Sequence, residues 1–293
     1  MSKIVCFGEV LWDVFPTHKK IGGAPLNVAL RLSSFGDDIG MISSVGDGAE
    51  GKKLLDYIAS RGLNIDGIQI NNQFKTGKVN VILDTKGSAT YSIEFPCAWD
   101  YIHLDDESIK IVKNSDAFIF GSLVARNDTS RNTLLTFLKI SNYKIFDVNL
   151  RAPHYTMNVL SELMQLADFI KFNDDELVEI CEQLAFHSTN IESNIKFISK
   201  ATNTTNICVT LGKKGAILFL NNTFFKNNGY TIEVKDTVGA GDSFLASLIN
   251  KLLNNKQPQE SLDFSCAVGA IVTSKNGANP EIMDKELRKF IKV

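Results

Sequence analysis

Cysteine is sparse and shows no pairing pattern. The five residues Cys6, Cys97, Cys181, Cys208 and Cys266 are odd in number and include no C-x-x-C spacing. That excludes a disulfide framework and a zinc site of the usual kind. Cys6, Cys208 and Cys266 lie in apolar runs, where a free thiol acts as a small buried filler. The four histidines are scattered. No sign of charge is in excess: the formal net charge is -2, so neither a nucleic acid nor an anionic membrane is expected as partner. No apolar run reaches the ~18 residues of a membrane span. Met1-Ser2-Lys3 passes straight into the strand-like Ile4-Val5-Cys6-Phe7, with no secretory leader pattern. A soluble, reduced, cytoplasmic protein is the expectation. There is no internal repeat, low-complexity tract or linker. The length of 293 residues and apolar fraction of 44% suit one large α/β domain over 1–293 with an appendage.

What the chain does have is concentrated in Asp236-Thr237-Val238-Gly239-Ala240-Gly241-Asp242-Ser243-Phe244. Tyr230 to Val234 ahead of it reads as a β-type run. Behind it Phe244, Leu245, Leu248, Ile249, Leu252 and Leu253 recur with helical period. Gly239-Ala240-Gly241 therefore sits where a loop enters a helix. There the first N–H groups have no helical acceptor and the dipole is positive. Small residues let an anion come close to them. Asp242, in the same turn, can take a proton from a hydroxyl while charge builds on a phosphoryl group. The plainer alternative is an acid that only complements the helix dipole.

The rest of the chain alternates strand and helix, the signature of a parallel sheet covered by helices. Lys3 to Phe7, Ile39 to Val45, Ala117 to Gly121, Lys144 to Val148, Phe169 to Phe172, Asn206 to Thr210 and Ala216 to Leu220 read as strands. Asn27 to Phe35, Gly51 to Arg61, Ser130 to Ile140, Met157 to Leu166, Glu176 to Leu184, Ile191 to Lys200 and Ser261 to Ser274 read as helices. Thr76 to Leu83 and Ala89 to Phe95 interrupt this rhythm as a hairpin around Asp84-Thr85-Lys86-Gly87-Ser88. With Val10 to Phe15 that hairpin forms either a flap over the strand ends or an ordinary edge. Ligands of open α/β sheets bind outside the carboxyl ends of the strands, where the polar clusters of this chain fall.

Taken together, these motifs resemble those of the PfkB (ribokinase-like) carbohydrate kinases, in family order and over nearly the whole chain. Asp236 to Phe244 is similar to the family's C-terminal signature and Gly22-Gly23-Ala24-Pro25-Leu26-Asn27 to its N-terminal one. Asp147-Val148-Asn149-Leu150-Arg151, Asn173-Asp174-Asp175-Glu176 and Thr210-Leu211-Gly212 with Gly215 match three motifs between. Gly8-Glu9-Val10-Leu11-Trp12-Asp13 is similar to the fructokinase branch.

The resemblance implies a mostly parallel central sheet flanked by helices, with a small β-sheet lid from about 10–16 and 76–103. It implies an ATP-dependent sugar kinase whose base is Asp242 and whose anion hole is Gly239, Ala240 and Gly241. The sugar would meet Asp13, Gly22, Gly23, Asn27 and Arg151. Asn149, Asn173, Thr210, Gly212, Gly215, Asn276 and Gly277 would flank the nucleotide. Mg²⁺ would be held through water by Glu176. A monovalent cation, K⁺, would lie by Asp236 and Val238, although Glu281 stands where a small polar residue is usual. A homodimer through the lid follows from the exposed β-edges of such a flap.

Plain alternatives remain for several of these residues: a helix N-cap for Asn27, a capping box for Asn173 and Glu176, a strand-end acid for Asp13 and a surface ion pair for Arg151. Trp12 can face the sugar or the core, since neighbouring strand residues point oppositely. The expected acceptor is D-fructose; ribose, 2-keto-3-deoxygluconate or a hexose phosphate, or a non-catalytic sugar sensor, are the rivals. An NAD-dependent oxidoreductase is disfavoured, because no G-x-G-x-x-G follows the first strand.

Overall fold

The computed structural model describes residues 1–83 and 89–291; the turn Asp84-Thr85-Lys86-Gly87-Ser88 lies outside them. In chain order the strands are β1 (Lys3–Phe7), β2 (Leu11–Val14), β3 (Lys19–Gly22), β4 (Asp38–Gly46), β5 (Ile68–Asn71), β6 (Gly77–Leu83) and β7 (Ala89–Ile93). They continue as β8 (Ala117–Gly121), β9 (Lys144–Asp147), β10 (Phe169–Asn173), β11 (Asn206–Thr210), β12 (Ala216–Leu220) and β13 (Thr223–Asn227). Nine of them form one sheet, ordered β13-β12-β11-β10-β9-β8-β1-β4-β5. Every ladder from β5 to β11 is parallel, and β12 and β13 add an antiparallel edge.

Alternation within the parallel strands builds a core on each face. In β1, Val5 and Phe7 join Phe118, Phe120, Phe146 and Phe172 on one side. Ile4 and Cys6 join Ile119, Ile145 and Phe169 on the other. The helices Asp128–Ile140, Met157–Leu166, Asp174–Gln183 and Ile191–Thr202 cover the first side. Ala24–Ser34, Ala49–Ser60, Ala240–Leu253 and Pro258–Thr273 cover the second. The chain leaves β1 toward β4 on one side and later returns to β8 on the other. The loop after β1 therefore opens at a topological switch point, where a ligand crevice is expected.

The smaller sheet, β3-β2-β6-β7, contains the expected hairpin together with Leu11–Val14. It has one strand more than the sequence patterns indicate. Lys19–Gly22 pairs with β2, although its lysines suggest a solvated turn. As an edge strand it can leave Lys19 and Lys20 in water while only its backbone is satisfied. Three other elements carry weak patterns: the short edge strands β5 and β13 and the helix Asp106–Lys113. The run Tyr230 to Val234 is not a strand. It joins no ladder, and Val234 is 63% exposed; its β-branched residues have no neighbouring strand to pack on.

One buried ion pair fastens the root of this small sheet. Arg126 Nε and Nη2 donate to the two carboxylate oxygens of Asp100 at 2.6 and 2.8 Å, and Nη2 also donates to Glu94 O at 2.6 Å, just past β7. The guanidinium lies over the rings of Trp99 and Phe95. The two side chains are only 3% and 0% exposed, so screening by water does not weaken the pair. Removing one partner strands the other charge in the interior, a loss of about 3–5 kcal/mol, against about 0–1 kcal/mol for an exposed pair. Arg126→Met is therefore expected to lower the unfolding free energy by about 3–5 kcal/mol in urea titrations. A loss below about 1 kcal/mol would mean that the pair is no more than a surface contact.

Candidate active site

At the carboxyl ends of the strands the helix end of Gly239 to Asp242 meets Asn27, while many of the other expected residues lie in separate groups. Gly239 is the N-cap of the Ala240–Leu253 helix, with φ 75°. A β-carbon there would fall 2.5–2.6 Å from Ala278 atoms, so only glycine fits both the left-handed backbone and the close packing. Gly241 differs. Its φ is ordinary, and a β-carbon would only touch Lys171 Nζ at 3.5 Å. The backbone constraint thus sits at Gly239 and not at Gly241. Ala240 N donates to Thr237 O and Ser243 N to Gly239 O, while no acceptor among the described residues takes the N–H of Gly241 or Asp242. Two N–H groups at the positive end of a helix are left for an anion.

Asp242 lies beside them. Asn27, in the first turn of the Ala24–Ser34 helix, donates from Nδ2 to Asp242 Oδ2 at 2.8 Å. Asn27 in turn accepts from Asn279 Nδ2 at 3.1 Å. It is not a helix cap, since Gly23 holds that place. Burial pushes the Asp242 carboxyl up to about 6, with Asp147 adding to the rise; Asn27, Lys171 and Arg151 pull the other way. Lys171 forms a buried ion pair with Asp147 at 3.0 Å. Burial opposes its charge, but Asp147, Glu176 and Asp242 outweigh burial and hold the ammonium above its ordinary range. Neither Lys171 nor Asp147 is singled out as a site residue by sequence reasoning. The available signal is a lysine inside the apolar strand Phe169-Ile170-Lys171-Phe172.

A second carboxylate region lies across from Asp242. Asp13, on β2, crowds the place where Gly22 would carry a β-carbon, so its carboxylate rests on the glycine turn. Burial raises Asp13 to about 6 against the pull of Lys20 and Arg151. Gly23 has φ 115° and packs on Glu9 O. Glu9 itself is 4% exposed, its Oε2 has no partner among the described residues, and burial raises it to about 7. The Arg151 side chain is exposed and, among the described residues, bonds only Leu150 O, yet its charge bears on Glu9, Asp13 and Asp242. Trp12 takes the core alternative, packing on the second core cluster and donating to Glu50 O at 3.2 Å.

The nucleotide-side residues stay in separate groups. Asn149 has φ 38° in the loop after β9. Asn173 and Glu176 form a reciprocal capping box. The remaining Glu176 oxygen accepts from Leu150 N at 3.0 Å, so both carboxylate oxygens already hold backbone N–H groups. Thr210 ends β11, and Gly212 and Gly215 turn back into β12 with φ 55° and 87°. Asp236 Oδ1 accepts from Val238 N and Oδ2 from Gly277 N, each at 3.0 Å, which ties its loop to the exposed Asn276 and the half-buried Gly277. No hydrogen bond among the described residues joins this loop to the Gly212–Gly215 turn. Among the described residues no group of three or more His, Cys, Asp or Glu is placed to hold a metal ion.

Known proteins resemble this chain in sequence and fold. A family model described as pfkB family carbohydrate kinase matches residues 1–285. A fructokinase of Solanum tuberosum is 27% identical over 303 residues, covering 95% of this chain and 92% of that protein. A putative sugar kinase of Pyrococcus horikoshii is 30% identical over 296 residues, covering 96% and 89%. The crystal structure of an uncharacterized sugar kinase from Pyrococcus horikoshii in complex with ATP superposes with TM-score 0.84 at 28% identity, covering 98% of this chain and 100% of that one. A fructokinase of Xylella fastidiosa with bound ATP gives TM-score 0.86 at 22% identity, covering 99% and 98%; at that identity it speaks for the fold alone.

Two expectations follow from the helix end and its acid. Gly241→Ala should fold with unchanged stability or gain up to about 1 kcal/mol, since alanine suits a helix better than glycine. Its turnover should nevertheless fall by more than about tenfold, because the methyl group intrudes on the two open N–H groups. Denaturant titration beside a turnover assay separates the two effects, and full activity would remove the anion-hole reading. For Asp242, the native carboxyl titrates at about 6 and the ordinary value is 3.8. The native state therefore holds the extra proton between those values, and stability falls as pH rises through them. Asp242→Asn cannot ionise and should be more stable than wild type above pH 6 by about 1–3 kcal/mol, with the difference vanishing below pH 4. Equal stability of the two at pH 8 would contradict the burial cost.

Proposed function

The chain belongs to the pfkB family of carbohydrate kinases, and on that premise we propose that it is an ATP-dependent fructokinase. The observation that carries the reading is one juxtaposition: the Asp242 carboxylate, held by Asn27, stands beside the free N–H groups of Gly241 and Asp242. A hydroxyl lodged between Asp242 and Asp13 gives its proton to Asp242 as its oxygen bonds to the γ-phosphorus of ATP, and the bond from that phosphorus to the bridging oxygen breaks to release ADP. The γ-phosphoryl group meets the N–H groups at the helix end, where no reorganisation is needed as its charge spreads. Asn27 fixes the carboxylate rotamer, so the proton acceptor is aimed before the sugar arrives. Asp13, Gly22, Gly23 and Arg151 line the sugar side. Asn149, Asn173, Thr210, Gly212, Gly215, Asn276 and Gly277 line the nucleotide side. Mg²⁺, when bound, neutralises phosphate charge, and Glu176, with its N–H bonds in place, can hold only a water of that ion. Asp236 and Val238 would neighbour a K⁺ ion.

Support for fructose comes from the fructokinases among the relatives and from the shape of the sugar side. There the acids Glu9, Asp13 and Asp242 outnumber the cations Arg151 and Lys20 that bear on Asp13, which suits a neutral polyol better than a phosphorylated sugar. We take residues 1–293 as one domain, with 10–16 and 76–103 as its lid. Two copies would pair through the lid edges, which light scattering at assay concentration tests. In a coupled assay over fructose, ribose, 2-keto-3-deoxygluconate and fructose 6-phosphate, fructose should give the highest kcat/KM. Asp242→Asn should lower kcat by roughly 10²–10⁴ with sugar and nucleotide binding retained. A rival sugar ahead by more than about tenfold overturns the fructokinase reading, and a variant keeping more than about a tenth of kcat overturns the base.

A further inference from the structure

A large cavity lies apart from the catalytic crevice. It encloses about 1240 Å³ along the flanks of the Ala24–Ser34 and Ala240–Leu253 helices, beneath the segment 279–291. None of the residues proposed for sugar or nucleotide lines it. Its wall includes Arg31, which is 3% exposed. Arg31 Nε donates to Ser243 Oγ at 3.1 Å and Nη2 to Pro280 O at 2.9 Å. Both acceptors are neutral, and among the described residues this guanidinium has no carboxylate partner. Burial alone pushes it down to about 10, with no acid close enough to offset the cost. Lys251, on the same wall, behaves alike. Its ammonium sits 4.0 Å over the Phe264 ring and is lowered by burial and then by Lys256.

The cavity also has acids, which decide where a ligand's charge can go. Asp263 is engaged by Asn227 and Gln259. Glu260, Glu281 and Asp284 are exposed at the rim and do not figure in the charge balance of Arg31 or Lys251. The wall thus holds one buried and one half-buried cation, Arg31 and Lys251, with no ion-pair partner among the described residues, and aromatic surface from Phe35, Phe264 and Phe290 beside them. A buried charge is tolerated at low cost only when it is paired.

We propose that this cavity is a regulatory site for a small organic anion with an apolar body, whose charged group pairs with Arg31 and Lys251. The coupling to catalysis is short. Ser243, the acceptor of Arg31 Nε, follows Asp242 in the chain. Pro280, the acceptor of Nη2, follows Asn279, which donates to Asn27 and through it holds Asp242. An anion that draws the guanidinium toward the cavity shifts both contacts and with them the aim of the carboxylate. The site goes beyond the sugar assignment and does not depend on which sugar is used.

Phenyl phosphate and benzoate serve as probes, being a phosphate ester and a carboxylate on one apolar body. Each is titrated calorimetrically into the full chain saturated with acceptor sugar and a non-hydrolysable ATP analogue, so that the anion hole is filled. At least one is expected to bind and to change kcat or sugar KM. In Lys251→Gln, whose basal turnover should match wild type, affinity should fall about tenfold, the loss of one charge-assisted contact, and the kinetic response should shrink with it. Arg31→Gln should weaken binding further. If it does not fold, Lys251→Gln alone decides. Absence of binding by both probes, binding that Lys251→Gln leaves unchanged, or binding with no effect on turnover overturns the proposal.

Discussion

The hydrogen bond from Asn27 to Asp242 joins residues 215 positions apart, and the fold is arranged so that it can form. Asn27 is placed by the helix that begins at Gly23, whose φ of 115° no residue with a side chain adopts easily, and which packs on the end of β1. Asp242 is placed by a second helix that can start only because Gly239 accepts a left-handed conformation against Ala278. These two helices lie side by side over one face of the sheet, with Leu26, Leu32, Leu245 and Ile249 in a common cluster. The bond is worth little in net stability, about 1 kcal/mol for a neutral pair and somewhat more for a charged one. The burial of the carboxylate costs more. The local balance is therefore unfavourable to folding at neutral pH, and the packing of two helices on a nine-stranded sheet offsets it. Such a deficit at one residue is what a functional carboxylate requires, since an acid stabilised by every neighbour would be a weak proton acceptor.

The small sheet answers a different constraint. It is a separate four-stranded sheet with no ladder to the main one, so other contacts must fix its position. Arg126 grips its exit through Glu94 O and Asp100. Glu50, from the Ala49–Ser60 helix, bridges Lys19 on β3 and Lys78 on β6, and Phe74 stacks on Tyr101 at 3.8 Å. These contacts differ in strength. The Glu50 bridges are partly exposed and contribute little each, whereas the Arg126 pair is buried.

The repeated strands and helices were legible in the sequence because each carries its own period. Lys3–Phe7, Asn206–Thr210 and Ala216–Leu220 match their patterns to the residue. Helix starts came out late wherever polar residues fill the first turn, as at Asp128 and Asp174. Edge strands such as β3 and β13 were not legible, since half of an edge faces water and the stabilising partner is remote in the chain. The run Tyr230 to Val234 shows the converse: a β-type composition without a neighbouring strand forms no ladder. Within the site, Gly239 to Asp242 form the helix-entry turn that the glycines indicate. The glycine with the special backbone, however, proved to be Gly239 and not Gly241. Lys171, Glu9, Asn279 and Arg31 were illegible because each acts through a contact with a distant segment.

That division also explains why the reaction class is easier to read than the acceptor. Phosphoryl transfer needs a helix end, small residues and one carboxylate, and these lie within four consecutive positions, Gly239 to Asp242. Local spacing therefore records them. The residues proposed for the sugar side come from β2, the glycine turn before Asn27 and the loop after β9. No two of these are close in sequence except the first pair. Which hydroxyl pattern the site accepts depends on where Asp13, Glu9 and Arg151 stand relative to one another. Those distances are set by the twist and order of the strands between them and not by any residue in the motifs. Relatives that keep the four-residue turn can therefore change acceptor through single side chains on β2 or beyond β9, without disturbing the helix end that performs the transfer.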